Sequence, residues 1–132
     1  MKPLTILSAA INAVGHVNAL TGVLRPFIAR GHRVIFVVEE AFEGKLERFG
    51  FIEEIYCMPK NEDERNPGEL IGKQLLDCKV IGAHSTLEKM ENMLVMFHSD
   101  KIYAEYEVTD RAIKAAIEKY QPDIIFFDGA FL

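Results

Sequence analysis

A histidine and an aspartate that each follow a predicted strand are the residues in this sequence best suited to acid–base chemistry. His16 lies in the stretch AINAVGHVN, after an apolar run at residues 4–9 that is typical of a buried parallel strand. Asp128 directly follows the run DIIFF at residues 123–127. A His–Asp pair suits a general base, because the imidazole accepts a proton from a hydroxyl while the carboxylate orients the ring and stabilises the imidazolium.

These two strands belong to a longer alternation of strands and helices along the chain. The predicted strands cover residues 4–9, 34–38, 51–58 and 123–127, and the predicted helices cover 17–30, 40–49, 100–120 and one or two segments within 70–97. The turn-rich, charged segment 59–69 is predicted to be a loop. Strands that alternate with helices indicate βαβ units and a parallel sheet with right-handed crossovers. We therefore predict an α/β fold with a Rossmann-like, doubly wound parallel sheet.

Single residues predict how several of these elements begin and end. Pro26 should kink the first helix or shift one of its hydrogen bonds, and Gly31 is expected to end that helix. Gly72 and Gly82 are candidate breaks in the region 70–97. Asp100 is the candidate N-cap of the last helix.

The strand order decides whether the histidine and the aspartate meet. In open α/β sheets, ligands bind beyond the carboxyl ends of the strands, where the strand order reverses. With the order 3-2-1-4, the first and fourth strands are neighbours, and His16 and Asp128 lie on the same rim. Asp123 begins the fourth strand, so five residues at ~3.3 Å each place it about 16 Å away, at the opposite edge. Asp128 is therefore the predicted partner of His16.

The composition excludes several classes of function. The chain has 132 residues, of which 49% are hydrophobic and 27% charged, as expected for one ordinary globular domain. A formal net charge of −5 and the lack of clustered Lys and Arg argue against nucleic acid or an anionic membrane as a partner. No stretch approaches the ~20 continuous apolar residues of a membrane span.

The cysteines and the N-terminus indicate a cytoplasmic protein. Cys57 and Cys78 form neither a CxxC pair nor a metal-ligand cluster, so we expect free thiols, a reducing compartment and no metal. The apolar N-terminus is interrupted by Asn12, His16 and Asn18 and continues into helical periodicity. We therefore interpret it as the first βα unit and not as a signal peptide.

Four stretches resemble the N-terminal part of the family 1 UDP-glycosyltransferases, whose GT-B fold packs two Rossmann-like domains face to face. They are a first strand leading to GHVNAL, then LRPFIARGHRVIFVV, FEGKLERFGF and YQPDIIFFD, in the family's order and over most of the chain. The resemblance implies that His16 is the catalytic base and that Asp128 supports it. The implied reaction is displacement at the anomeric carbon of a UDP-sugar by an acceptor hydroxyl, with inversion and without a metal.

The resemblance also implies an apolar pocket for a small lipophilic, hydroxylated acceptor. The residues expected to contact the acceptor are Ala10, Ile11, Asn12, Met93, Phe97 and Phe131. Helical Met and Phe residues are more often core than pocket lining.

The resemblance assigns the UDP-sugar to a C-terminal domain that these 132 residues do not contain. Residues 1–132 would then be a partial N-terminal acceptor-binding domain that binds no cofactor and is inactive alone. Apolar surface exposed at the incomplete end makes self-association an expectation as well.

Two other functions stay open at this point. A nucleotide- or dinucleotide-binding domain is not favoured, because SAAINAVGH stands where GxGxxG would be needed and no GxxxxGK[ST] occurs. A non-catalytic module that binds a small apolar ligand, or pairs with a separate donor domain, predicts binding without turnover. His16 would then be a helix-start residue that donates to a backbone carbonyl. For His32, His84 and His98 we expect loop, solvated or capping roles.

Overall fold

A four-stranded parallel sheet organises the protein, whose computed structural model describes residues 2–59 and 67–128. The strands are β1 (Thr5–Ala9), β2 (Arg33–Glu39), β3 (Ile52–Tyr56) and β4 (Ile124–Phe127). They are hydrogen-bonded in the order β3-β2-β1-β4. The predicted strand order 3-2-1-4 and the Rossmann-like α/β fold class are therefore confirmed.

The helices fall into two compact units, one made of residues 1–58 and 109–132 and the other of residues 59–108. The α-helices are α1 (Val14–Ala29), α2 (Pro67–Asp77), α3 (Thr86–Phe97) and α4 (Asp100–Tyr120), and two 3₁₀ turns cover Glu40–Phe42 and Glu47–Phe49. The second unit contains α2, α3 and the first part of α4. None of the described helices is both long enough and apolar enough to cross a membrane.

The core of the first unit lies where α1 packs on the sheet. Successive residues of a strand point to opposite faces, so Ile6 of β1 shares a face with Phe36 of β2. Both side chains join one hydrophobic cluster with Val17 and Leu24 of α1. On the opposite face Ile35 is also fully buried. A strand buried on both faces explains why β2 is a continuous apolar run instead of an alternating one.

The first helix starts earlier than predicted, and Pro26 does not end it. α1 begins at Val14, so His16 lies inside its first turn. The helix continues through Pro26 to Ala29, and the Pro26 carbonyl accepts from the N–H of Arg30 at 3.2 Å. Gly31 follows with a φ of 86°, a left-handed conformation that favours glycine. The prediction that Gly31 ends this helix is confirmed.

The predicted helix over residues 40–49 is wrong, because the segment forms two separate 3₁₀ turns. Gly44, between the turns, has a φ of 74°. The Glu53 carboxylate of β3 accepts from the N–H groups of Gly44 and Leu46, each at 2.6 Å, and of Glu47 at 3.1 Å. Because these N–H groups already donate to the Glu53 carboxylate, they do not need the carbonyls of a continuous helix as acceptors.

Two further local predictions need correction. Gly72 lies inside α2 and breaks nothing, whereas Gly82 lies between α2 and α3 with a φ of 109°. Asp100 is the first residue of α4 and not its cap. The cap is Ser99, whose Oγ accepts from the N–H of Ile102 at 3.4 Å. Ser99 and Asp100 are both short polar residues, and only the backbone geometry distinguishes which of them is the cap.

Candidate functional site

His16 lies at the carboxyl edge of the sheet because α1 begins directly beyond β1. It is the third residue of α1, and Ala13 at the N-cap forms no side-chain hydrogen bond to the helix. The first turn also contains no acidic residue. The positive end of the α1 dipole therefore has no compensating charge from its own first turn.

Asp128 reaches the same edge because β4 pairs in parallel with β1. Phe127 is in register with Ala9, and the N–H of Asp128 donates to the Ala9 carbonyl at 3.3 Å. Asp128 Oδ2 is hydrogen-bonded to His16 Nδ1. The side chains of His16 and Asp128 are 45% and 21% exposed, respectively, so the pair is accessible from solvent. The structure brings together the two residues that the sequence predicts as a pair.

Asp123 lies at the opposite end of β4 and serves a different purpose. Its carboxylate accepts from the N–H of Thr5 at 2.8 Å, and its own N–H donates to the Thr5 carbonyl at 2.8 Å. Since Thr5 begins β1, Asp123 lies at the amino edge of the sheet. The prediction that Asp123 lies at the edge opposite to Asp128 is confirmed.

An open depression of about 510 Å³ adjoins the His–Asp pair. It is lined by Gly15, His16, Ala19, Leu20 and Val23 of α1 and by Phe127 and Asp128 at the end of β4. All of these side chains except those of the pair are apolar. The surface is therefore suited to a small, mostly apolar molecule that has one polar atom close to His16.

Sequence reasoning missed most of the residues that line this depression. Ala19, Leu20 and Val23 follow His16 at intervals of three, four and seven residues, which places them on the same face of α1. Leu20 is buried, whereas Val23 is 52% exposed. The helical spacing counted from His16 is the sequence signal that indicates Ala19, Leu20 and Val23 as its neighbours.

The loop residues predicted to contact the acceptor have other partners. Ala10 is 4% exposed and belongs to the hydrophobic core. The Ile11 carbonyl accepts from the N–H of Ala13 at 2.6 Å, and Asn12 binds Tyr56. None of Ala10, Ile11 and Asn12 lines the depression.

The remaining predicted acceptor residues are not part of the described first unit. Met93 and Phe97 lie on α3 in the second unit and are 41% and 46% exposed. Phe131 lies outside the described residues.

A side-chain contact fixes the loop that leads to His16. Asn12 Nδ2 donates to Tyr56 Oη at 2.9 Å, and Tyr56 Oη donates to Asn12 Oδ1 at 3.2 Å. Burial raises the pKa of Tyr56 more than its hydrogen bonds with Thr109 and Asn12 lower it, and the charge of Glu39 raises it further. The hydroxyl is therefore protonated at neutral pH. The contact ties the end of β1 to the end of β3.

The other histidines have local structural roles. His32 is 8% exposed, and its Nδ1 accepts from the N–H of Leu4 at 3.0 Å. This contact lies at the amino edge of the sheet, as predicted for a residue between α1 and β2. His98 caps the carboxyl end of α3 through its N–H, and His84 is exposed in the loop before that helix.

Metal-binding groups are not assembled in residues 2–59 and 67–128. These residues contain no group of three or more His, Cys, Asp or Glu side chains that could hold a metal ion. Cys57 is exposed and Cys78 is half-buried, and neither forms a disulfide within this part of the chain.

Two solved glycosyltransferases have the same fold. The chain is similar to CalG4, the calicheamicin glycosyltransferase, with a TM-score of 0.58 and 22% identity over 97% of this chain and 27% of that one. It is similar to the glycosyltransferase of kitacinnamycin, with a TM-score of 0.54 and 17% identity over 97% of this chain and 25% of that one. The chain has the fold of the N-terminal portion of GT-B glycosyltransferases.

The likeness covers only a part of each solved glycosyltransferase. The chain spans about a quarter of the length of each of these two glycosyltransferases. The sequence matches no protein-family model and no curated protein. At 22% and 17% identity, the likeness shows the fold of the chain alone.

Proposed function

We propose that this chain is the acceptor-binding part of a UDP-sugar-dependent glycosyltransferase, with His16 as the base and Asp128 as its support. The observation that carries the proposal is the contact between His16 Nδ1 and Asp128 Oδ2, beside an apolar depression at the carboxyl edge of the sheet. The fold of the chain, which two glycosyltransferases share, supports the same function.

The proposed chemistry starts from the tautomer that Asp128 selects. Because the carboxylate accepts a hydrogen bond from Nδ1–H, the lone pair of the His16 ring lies on Nε2. Nε2 removes the proton of the acceptor hydroxyl as the oxygen attacks the anomeric carbon of the UDP-sugar. The bond from that carbon to the phosphate oxygen breaks, UDP leaves with the electron pair, and the configuration inverts. Asp128 stabilises the imidazolium that forms.

The proposed acceptor is a small lipophilic molecule with a hydroxyl group. The apolar residues Ala19, Leu20 and Val23 on the face of α1 that carries His16 support this substrate class. An aromatic or alicyclic body can pack on these side chains while its hydroxyl meets Nε2. Met93, Phe97 and Phe131 are also proposed to contact the acceptor, and Ala10, Ile11 and Asn12 to shape the loop that leads to His16.

The proposed donor is bound by a C-terminal domain that is not among these 132 residues. The coverage of about a quarter of each solved glycosyltransferase supports a partial N-terminal domain. This chain alone is then expected to bind acceptor without transferring sugar, and we propose a cytoplasmic location for it.

The proposal is tested with a panel of phenolic and terpenoid acceptors. Turnover of UDP-glucose is measured for this chain and for the longest polypeptide that its gene encodes, each with a His16→Ala and a His84→Ala variant. His84 is exposed and lies in the second unit, so its variant controls for the loss of any surface histidine. We expect turnover by the longer polypeptide, a loss of about 10²–10⁴-fold in His16→Ala, and no change in His84→Ala.

Two outcomes would contradict this function. If the His16→Ala variant of the longer polypeptide turns over UDP-glucose at an unchanged rate, another group is the base. A longer polypeptide that binds acceptors but never consumes UDP-glucose is a non-catalytic binding module of the same fold. Acceptor binding by this chain, followed by chemical-shift changes at His16, distinguishes that module from a protein with no acceptor site.

A further inference from the structure

The two residues of the His–Asp pair are held in place by different means. The backbone of Asp128 is tied to the sheet, since its N–H donates to the carbonyl of Ala9 at 3.3 Å. His16 lies in the first turn of α1, whose N-cap residue, Ala13, forms no side-chain hydrogen bond to the helix. The first N–H groups of a helix have no intrahelical acceptor, so a start without such a cap frays more easily. The position of His16 therefore depends on contacts other than the cap.

The side chain of Asn12 supplies such a contact directly before the N-cap. Asn12 Nδ2 donates to Tyr56 Oη at 2.9 Å, and Tyr56 Oη donates to Asn12 Oδ1 at 3.2 Å. A single hydroxyl thus binds both polar atoms of the amide. The backbone turns around Asn12, because the N–H of Ala13 donates to the carbonyl of Ile11 at 2.6 Å. The turn that leads into α1 is therefore tied to a side chain of another strand.

Tyr56 is a firm point of attachment, because it is the last residue of β3 and is 8% exposed. β2 lies between β3 and β1, and neighbouring strands are about 4.8 Å apart, so the contact spans roughly 10 Å across the sheet. The Tyr56 hydroxyl is also hydrogen-bonded with Thr109 of α4, which is equally buried. Burial raises the pKa of Tyr56. The hydroxyl is therefore a neutral hydrogen-bonding group and not a second base.

We infer that Tyr56 is a positioning residue, which holds the start of α1 through Asn12 and thereby keeps His16 in contact with Asp128. Only the N-cap and the first turn of α1 separate Asn12 from His16, so a displacement of Asn12 is transmitted to the imidazole. Tyr56 does not line the depression beside the pair, and its effect on an acceptor is indirect. The consequence for catalysis rests on the proposed function, because Tyr56 acts through the proposed base.

The test compares Tyr56→Phe with Tyr120→Phe in the full chain, without acceptor or donor. Each variant loses one phenolic hydroxyl, and that of Tyr120, at the end of α4, donates to Glu54 at 2.6 Å. Hydrogen exchange of the Val17 N–H reports on the start of α1, because this group donates to the carbonyl of Ala13 at 3.0 Å. We expect exchange about tenfold faster than in wild type for Tyr56→Phe, and no change for Tyr120→Phe.

Two further readings separate positioning from a general loss of stability. The N–H of His32 donates to the carbonyl of Phe27 at 3.0 Å at the other end of α1, and its exchange should stay unchanged. The ring nitrogens of His16 give a spectroscopic signature in NMR. In wild type the neutral ring should carry its proton on Nδ1, next to Asp128. In Tyr56→Phe a larger fraction of the ring should carry it on Nε2.

A second variant, Asn12→Ala, removes the same contact from its less buried side. It covers the case in which Tyr56→Phe does not fold, as judged by circular dichroism, and it should reproduce the faster exchange of the Val17 N–H. Since one contact is responsible, the double variant should exchange no faster than either single variant. Additive effects would show that Asn12 and Tyr56 act separately and would overturn the inference.

The effect on turnover is measured in the longest polypeptide that the gene encodes. We expect kcat of Tyr56→Phe to fall about tenfold with KM within about twofold of wild type, because the acceptor surface is kept while the base is displaced. Unchanged Val17 exchange in both Tyr56→Phe and Asn12→Ala overturns the inference, and so does an unchanged kcat in an active polypeptide. A polypeptide without turnover contradicts the proposed function alone, since the exchange and tautomer measurements need no donor.

Discussion

The dipeptide Gly-His occurs at both ends of α1, and the two histidines have opposite surroundings. His16 is in the first turn, with a side chain that is 45% exposed and hydrogen-bonded to Asp128. His32 follows the last turn, is 8% exposed and accepts from the backbone N–H of Leu4. The same residue type is thus accessible and paired with an acid at one end, and buried against the backbone at the other.

The difference follows from the two edges of a parallel sheet. At the amino edge the chain turns tightly from α1 into β2, and the N–H groups of His32 and Arg33 donate to the carbonyls of Phe27 and Leu4. That edge is closed by backbone hydrogen bonds. At the carboxyl edge β1 and β4 end side by side and α1 starts beyond them, which leaves the open depression. Ligand sites of such folds form at this edge.

The largest effect is expected from replacing the acid of the exposed pair. Asp128→Asn removes the charge that stabilises the imidazolium, and its amide can donate to Nδ1 and select the wrong tautomer. In the polypeptide that shows UDP-glucose turnover, we expect a loss of about 10²–10⁴-fold in kcat/KM. Asp123→Asn is the matched control at the other end of β4, and its turnover should stay within twofold. Equal losses of kcat/KM in Asp128→Asn and Asp123→Asn would contradict a catalytic role that is specific to the carboxyl edge of the sheet.

An intermediate effect is expected at the buried histidine. His32→Ala leaves the N–H of Leu4 without its acceptor and opens a cavity, so we expect the free energy of unfolding to fall by about 2 kcal/mol. His32→Asn should recover part of the loss, because the Asn oxygen can take the position of Nδ1. His16→Ala should change the unfolding free energy by less than about 1 kcal/mol, as for an exposed group. Urea denaturation of all three variants measures these free energies of unfolding. A larger loss of unfolding free energy in His16→Ala than in His32→Ala would contradict the expectation.

The smallest effect is expected on β3, away from both histidines. Burial alone would raise the pKa of Glu54, but its hydrogen bonds with Lys119 and Tyr120 and the Lys119 charge hold it below 4.5. A carboxyl with a lowered folded-state pKa stabilises the protein above its unfolded pKa, and this stability is lost as the pH falls through the folded pKa. We expect a small contribution to stability, because the Lys119 side chain is exposed and water screens its charge.

The pH dependence of unfolding checks this expectation. Wild type should lose that stability as the pH falls below the unfolded-state pKa of the carboxyl and through its lowered folded-state pKa, and Glu54→Gln should lack this component of the pH profile. Identical profiles for the two proteins would show that the contact contributes no net stability. Asp110→Asn is the control, because Asp110 pairs with Lys114 on the exposed surface of α4 at 2.7 Å.

Several parts of the fold and the site could be predicted from local pattern. The apolar runs and the helical periodicity between them indicated parallel strands, and a parallel strand order places Asp128 beside His16. The β-branched run at residues 34–38 predicted the central strand, because a strand covered on both faces needs apolar residues throughout. These predictions succeed because periodicity and strand ends are properties of neighbouring residues.

Other parts depended on residues outside the segment concerned. Glu53 divides the predicted helix over 40–49 into two turns, although it comes after that segment in sequence. Asn12 and Tyr56 are separated by 44 positions, and nothing local indicates their contact. Because such side-chain hydrogen bonds form only when separate elements pack against each other, the pattern of either segment alone does not contain them.

The sequence by itself determined the alternation of strands and helices, the candidate base His16 and the edge of the sheet at which it lies. Only the tertiary structure decided that Asp128 Oδ2 meets His16 Nδ1, that Val23 lines a depression, and that Asn12 binds Tyr56. The reason is physical: periodicity reports which side of an element is apolar, whereas exposure and partners depend on what packs against that side.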